Sequence, residues 1–461
     1  MAVQDPAQPG NLLSRPDRSL DRWPSTAHTR ADEFLTWLAR MFSRDRQYHV
    51  GMATLTASEN YVSLVVRAAA AFVGGEHYFF DPPSPAQPGE WSFPGSGVLP
   101  GLQRKFLKQM TQMFGAEIAD WRPNGGSICE QAVMMAACGR GDGFVEMAHE
   151  DGGHFGTGAL AARLGVETFT FPMLEDLIDV DRTVRLVEQH PHVRLVLIQP
   201  SHTRRPQPVE ELAAALPARV TIAVDISHTA GLIAGGVIPQ PLMQGADIVS
   251  FTTHKTLPGP NKGVIAFADR DHPLANKVWE MVCPKLQSNS HPECLPGLVL
   301  ALEEMATYGR EYVEQTVANA RTLARVLDSE GLLVAGMEYG GTRTHQVHLV
   351  IGSPGVSHRV ANELLPRCGI RTNSVAIPGT GGEFGLRLGA QALTRRGLTE
   401  AEFEELGHLL AQAIGGSEDV GSIRYQVTEL LEPYPLFPLH FSFDELGDSE
   451  DVRRLLTEVL R

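Results

Sequence analysis

Short runs of branched and aromatic residues alternate with amphipathic stretches along most of the chain. Phe144–Met147, Thr168–Phe171, Val193–Ile198, Thr221–Val224, Ile248–Phe251 and Val264–Phe267 read as buried strands. Between them Ser127–Cys138, Gly156–Leu164, Thr183–Gln189 and Val209–Leu216 read as helices. Strand and helix alternating at this spacing predict an α/β fold, a mainly parallel sheet with helices on both faces. Upstream, Phe34, Leu35, Leu38, Met41 and Phe42 give Ala31–Arg44 a helical period. After Pro296 the pattern changes to one long helix over Leu298–Glu330, with i,i+4 charge pairs along it. Strand-like Val347–Ile351 and helices around Val360–Leu365 and Glu400–Ile414 follow, predicting a smaller α+β domain. The expected division is an N-terminal arm and helix (1–48), a large α/β domain (49–297) and a small C-terminal α+β domain (298–461).

The length of 461 residues leaves room for two or three such units. The net charge of −15 argues against a surface built to neutralise nucleic-acid phosphates. Apolar stretches such as Ala68–Val73 and Leu195–Ile198 are far short of the ~20 residues of a membrane span. Cys129, Cys138, Cys283, Cys294 and Cys368 form no CxxC pair, as expected of reduced thiols in a cytoplasmic protein. The first thirty residues, with Pro6, Pro9, Pro16 and Pro24, contain no signal-peptide core and are expected to be a loosely docked arm.

In open parallel sheets ligands bind beyond the carboxyl ends of the strands, and four such ends carry unusual groups. Arg122-Pro123-Asn124-Gly125-Gly126-Ser127 runs into a helix and could bind an anion with backbone N–H groups; an ordinary glycine turn with a serine cap would read the same. His154 follows the Gly152-Gly153 turn, where its ring could face a planar ligand or simply solvent. Asp225 ends an apolar strand, as a capping or salt-bridged acid or as a partner for a protonated heterocycle. Lys255 follows another strand among hydroxyls in Thr252-Thr253-His254-Lys255-Thr256, either solvated or an amine for carbonyl chemistry.

Each signal alone is weak, but together they converge on pyridoxal phosphate (PLP). That cofactor needs an anion cradle, a carboxylate for its pyridine nitrogen and a lysine for its aldehyde. Zinc-ligand spacing, HExxH and a GxSxG elbow are all missing, so no metal site or serine-hydrolase site is expected.

At these residues the chain resembles the serine hydroxymethyltransferase group of fold-type I PLP-dependent transferases. The matching stretches are Leu55–Asn60, Val224–Gly231, Thr252–Thr256 and Leu386–Gly389 with Thr394–Gly397. The resemblance implies that Lys255 forms the Schiff base, Asp225 pairs with the pyridine nitrogen, His154 stacks on the ring and His228 sits near its phenolic oxygen. It further implies that Gly126, Ser127 and His254 hold the phosphate. Tyr78 would reach it from the other subunit of a homodimer, and Ser58 and Arg387 would take the substrate carboxylate.

Three departures stand out. Tyr78 is followed by Phe79-Phe80-Asp81 and a proline-rich segment, so the acid used for folate chemistry is absent or displaced to Asp81. Ser288 and Asn289 replace two glycines of the phosphate loop contributed by the partner subunit, and Glu130 stands where an asparagine is usual. These features are similar to a divergent branch, the L-threonine transaldolases of natural-product pathways. Motifs at 89–94, 121–131, 151–155, 283–289, 344–348 and 435–444 carry that similarity, and the aromatic, proline-containing tail Pro433–Asp444 is expected to dock on the body.

The resemblance implies retro-aldol cleavage of L-threonine to acetaldehyde and a PLP-bound glycyl carbanion. That carbanion would add to an acceptor aldehyde to give a β-hydroxy-α-amino acid. His154, Glu130 and His228 are candidates for the proton transfers, and Glu130 reads equally as a first-turn acid favoured by the helix dipole. A serine or α-methylserine hydroxymethyltransferase, a threonine aldolase and a non-catalytic PLP-binding protein are the competing readings. The acceptor site is expected to be shaped by Phe79–Gly97 and Ile377–Phe384.

Overall fold

The computed structural model describes residues 31–79, 97–416 and 419–434. The arm 1–30, the segment 80–96 with Asp81, and the tail from 435 onward lie outside the described residues.

The first helix, α1 (Ala31–Val50), runs six residues past the expected Arg44. Helix α2 (Leu99–Phe114) then leads into a seven-stranded sheet. Its strands are β1 (Ile118–Asp120), β2 (Gly143–Glu146), β3 (Glu167–Thr170), β4 (Val193–Ile198), β5 (Thr221–Asp225), β6 (Ile248–Thr252) and β7 (Gly263–Phe267). They lie in the order β1-β7-β6-β5-β4-β2-β3, and every pairing is parallel except the two made by β7. Six strands therefore point their carboxyl ends to one edge, and antiparallel β7 brings its amino end to that same edge. All five loops described below leave the sheet there.

Alternation along the strands explains the layers. Val196 and Ile198 of β4, with Val224 of β5 and Phe251 of β6, pack on one face against Leu298, Leu302 and Met305. Leu195, Leu197, Ala223 and Ile248 point to the other face and pack with Ala132, Val133 and Met134. Strands covered on both faces read as near-continuous apolar runs, which is why they are visible in the sequence. The covering helices include α3 (Gly126–Ala137), rich in alanine and methionine, α4 (Thr157–Leu164), α5 (Val180–Gln189) and α6 (Val209–Ala215).

The 36-residue helix α7 (Cys294–Ser329) contributes Leu298 to Val317 to the first of these clusters and Ala320 to Leu327 to a separate one. That second cluster gathers β8 (Gln346–Gly352), β9 (Asn373–Ala376) and β10 (Phe384–Gly389), an antiparallel sheet ordered β8-β10-β9. Helices α8 (Glu400–Gly415) and α9 (Val420–Leu431) cover it, and Ala53 and Leu55 from the start of the chain join it. Thr399 and Glu402 close α8 with a reciprocal capping box. The five cysteines are free thiols, four of them buried. Among the described residues no helix is long and apolar enough to cross a membrane.

Candidate active site

The carboxyl edge of the large sheet holds a cavity of about 340 Å³. The loop after β1 supplies Asn124 to Ser127, the loop after β2 supplies His154, and Ser201 follows β4. Asp225 ends β5, Thr252 ends β6, and His254 and Lys255 follow immediately. Residues far apart in sequence meet because strand order, rather than chain order, sets their spacing.

The anion turn differs in detail from a serine-capped helix. Gly125, in an extended conformation, is the N-cap of α3 and offers no side-chain cap, so Ser127 lies within the first turn. The first-turn N–H groups thus keep their capacity to bind an anion at the positive end of the helix dipole. Close packing requires Gly126 here, because a Cβ would fall 2.7 Å from Cγ2 of Thr252. Two buried polar atoms of cavity-lining residues, Thr252 Oγ1 and His254 Nδ1, have no partner among the described residues. Burial lowers His254 to about 4, so its ring is a neutral hydrogen-bonding group.

Asp225 is 8% exposed, and its carboxylate accepts from Ser227 N (2.9 Å), Ser227 Oγ (3.0 Å) and Ser250 Oγ (3.3 Å). Burial, helped by the charge of Glu130, pushes it up to about 6. Such an acid is built to be paired with a cation. Lys255 is half-buried, and burial holds its amine below the usual lysine range against the pull of Asp225. Its backbone is fixed by Asn60 Nδ2, which donates to its carbonyl at 2.6 Å. The next residue, Thr256, donates from Oγ1 to the His228 carbonyl (2.9 Å) and accepts from Gly231 N (3.0 Å), locking the β5 and β6 loops together. A Cβ at Gly231 would sit 2.3 Å from the Thr256 carbonyl oxygen, so that lock admits only glycine.

Glu130 is buried rather than a solvent-facing acid at the helix start. Its Oε2 accepts from Thr157 Oγ1 at 2.7 Å and lies 3.1 Å from His154 Nδ1. That contact raises His154 above the ordinary histidine range. His228 is the opposite case: burial and the nearby cations Lys255 and Arg387 hold it well below that range. Its Nδ1 faces Gln346 Nε2 at 3.0 Å, and its ring stacks on His345 at 5.8 Å. Gln346 is oriented by two backbone groups, since Oε1 accepts from Thr203 N (3.1 Å) and Nε2 donates to the Ser201 carbonyl (3.0 Å). His228 Nδ1 must therefore accept, which leaves its proton on Nε2.

Arg387, on β10, donates from Nη1 to the carbonyl of cavity-lining Ser201 at 3.0 Å, while its Nε has no partner among the described residues. Burial lowers it to about 10. Ser58 lies outside the lining, in the segment that pairs with the end of β10 through Leu55 and Thr56. Tyr78, exposed, and Ser288 and Asn289, on the loop after Gln287, do not line the cavity of their own chain. The sequence motifs contained Asn124, Thr252 and Gln346 without giving them a role, and Ser201 and Asn261 lay outside them. Ser201 could have been found, because it too follows the carboxyl end of a strand.

The set fits PLP: an uncapped helix start for a phosphate, a buried acid, a lysine of lowered basicity and partnerless buried donors and acceptors. Comparisons with known proteins agree. A model of the serine hydroxymethyltransferase family matches residues 36–410. The serine hydroxymethyltransferase of Aeropyrum pernix is 32% identical over 412 residues, covering 87% of this chain and 90% of that protein. That of Methanopyrus kandleri is 33% identical over 387 residues, covering 82% and 88%. A crystal structure of L-threonine transaldolase from Pseudomonas fluorescens in its internal aldimine state matches with a TM-score of 0.91 at 41% identity. It covers 93% of this chain and 98% of that one.

Proposed function

The chain belongs to the serine hydroxymethyltransferase family, with the fold-type I architecture of its PLP-dependent enzymes, and from that premise we propose that it is an L-threonine transaldolase. L-Threonine gives up its side chain as acetaldehyde, and the remaining glycine unit is joined to a second aldehyde, forming a β-hydroxy-α-amino acid. What carries this reading is the identity to a transaldolase, 41%, against 32% and 33% to the two hydroxymethyltransferases.

When bound, PLP supplies an electron sink for breaking and making bonds at the substrate α-carbon. Gly126, Ser127 and His254 would hold its phosphate, Lys255 its aldehyde and Asp225 its pyridine nitrogen. His154 would stack on its ring, and His228 would offer its Nε2–H as a hydrogen-bond donor. Arg387, with Ser58, takes the amino-acid carboxylate and so sets which bond at Cα is oriented for cleavage. The β-hydroxyl proton must leave for the Cα–Cβ bond to break. His154, its basicity raised by Glu130, is the group we assign to take that proton and return it to the new alkoxide. His228 is excluded from that task, because a neutral Nε2–H ring has no lone pair to offer at Nε2. In this reading the enzyme is a homodimer, and Tyr78, Ser288 and Asn289 serve the partner's site.

An acceptor panel with L-threonine as donor, read by product mass, tests the proposal. A new β-hydroxy-α-amino acid supports it; no acetaldehyde and no coupled product reject it. Folate-dependent formaldehyde transfer from serine would instead favour a hydroxymethyltransferase, whose candidate acid Asp81 lies outside the described residues.

A further inference from the structure

Lys262 is 1% exposed, at the amino end of β7, directly beneath the anion turn. Its ammonium donates to three neutral acceptors: the Arg122 carbonyl (3.0 Å), Asn124 Oδ1 (3.0 Å) and the Ser290 carbonyl. It also lies 5.7 Å from the centre of the Trp121 ring. Among the described residues no carboxylate comes within ion-pair distance of it. The nearby acids are engaged elsewhere: Asp120 is held bidentately by Arg122 (2.8 and 2.6 Å), and Glu293 contacts His291 at 3.0 Å. Burial lowers the amine to about 8, which leaves it protonated at neutral pH.

A buried charge is costly unless something compensates it. Among the described residues every direct hydrogen bond it makes is to a dipole, and the acids Asp120 and Glu293 act on it only from beyond ion-pair distance. Asn124, one of the three acceptors, lines the cavity and opens the turn that leads into α3. The same turn is tied to the 287–290 loop, because Gln287 Oε1 accepts from Asn124 N (3.0 Å) and Gln287 Nε2 donates to the Arg122 carbonyl (2.7 Å).

We propose that Lys262 is the fixed positive charge behind the anion turn, a positioning residue that holds Asn124 in place and selects for a phosphorylated cofactor. The phosphate is the missing counter-charge, and Lys262 attracts it through the turn without needing to touch it. This rests on the reading of the turn as the phosphate cradle of PLP.

The test compares two probes, PLP and its dephosphorylated form pyridoxal, binding to the cofactor-stripped full-length protein. Affinity is read by the absorbance of the bound aldehyde. For Lys262→Met we expect a loss of at least about tenfold in PLP affinity with pyridoxal affinity changed less than about threefold. Equal losses for both probes, or none for PLP, would overturn the proposal. Lys262→Gln, which keeps a donor and removes the charge, should show the same selectivity and serves where the methionine variant does not fold. If neither variant folds, Lys262 belongs to the scaffold and the proposal falls. A parent protein that fails to bind PLP more tightly than pyridoxal would instead refute the phosphate cradle itself.

Discussion

Glu130 places its Oε2 3.1 Å from Nδ1 of His154, the acid delivered by helix α3 and the imidazole by the loop after β2. The acid is buried and fixed from its other side by Thr157 Oγ1, so the pair is held rather than met by chance. The contact orients the imidazole and strengthens it as a base at Nε2. Glu130→Gln keeps the shape and removes the charge. Threonine turnover should fall about a hundredfold while PLP stays bound. His154 acts in its neutral form, so activity rises with pH through its pKa. Glu130 raises that pKa, and the variant's acidic limb should therefore move to lower pH. A pH profile of kcat/KM checks both signs.

Asp225 makes the cofactor-free protein less stable than it could be. Its folded pKa, about 6, lies above the usual carboxylate value, so the stabilising form is the protonated one. That contribution is present below about pH 4 and is lost as pH rises through 6. Asp225→Asn should therefore raise the stability of the apoenzyme at neutral pH by about 1–3 kcal/mol. It should also cut threonine turnover at least about a hundredfold, by removing the charge held at the pyridine nitrogen. Thermal unfolding of the apoenzyme reads the first effect and steady-state threonine turnover of the holoenzyme the second.

Gln346 dictates the tautomer of His228. In Gln346→Glu the Nε2 donor becomes a carboxylate oxygen, which can accept from a protonated Nδ1. His228 should then titrate between about pH 5 and 8. The cofactor absorbance of the variant should show a transition in that window that the parent lacks.

Arg387→Lys keeps a positive charge and loses the planar fork. With a buried Nε that has no partner among the described residues, the parent guanidinium has capacity to spare for a carboxylate. KM for L-threonine should rise about tenfold or more with PLP affinity unchanged, as steady-state kinetics and a cofactor titration would show.

The architecture was legible because strands buried on both faces announce themselves as apolar runs, and the strand-end rule led directly to His154, Asp225 and Lys255. Glu130 was ambiguous until its burial and its contact with His154 were seen, since a helix-start acid has the same sequence whether it faces solvent or a ring. The serine cap that the turn before α3 could equally have been is a glycine cap two residues earlier, a difference that spacing cannot resolve. Gln346 and Lys262 could not be read in advance. Their roles depend on hydrogen bonds to backbone groups at 201, 203, 122 and 290, and only the folded chain brings those groups together.

The most direct test of the transaldolase reading is a carbon balance. Purified holoenzyme is given L-threonine labelled with carbon-13 at Cα and an aldehyde acceptor, and acetaldehyde, labelled glycine and labelled product are measured together over time. The reading predicts that acetaldehyde and labelled β-hydroxy-α-amino acid rise in equal amounts, with glycine a minor product. Acetaldehyde matched by free glycine would make the protein a threonine aldolase. Release of no acetaldehyde at all would contradict cleavage of threonine at this site.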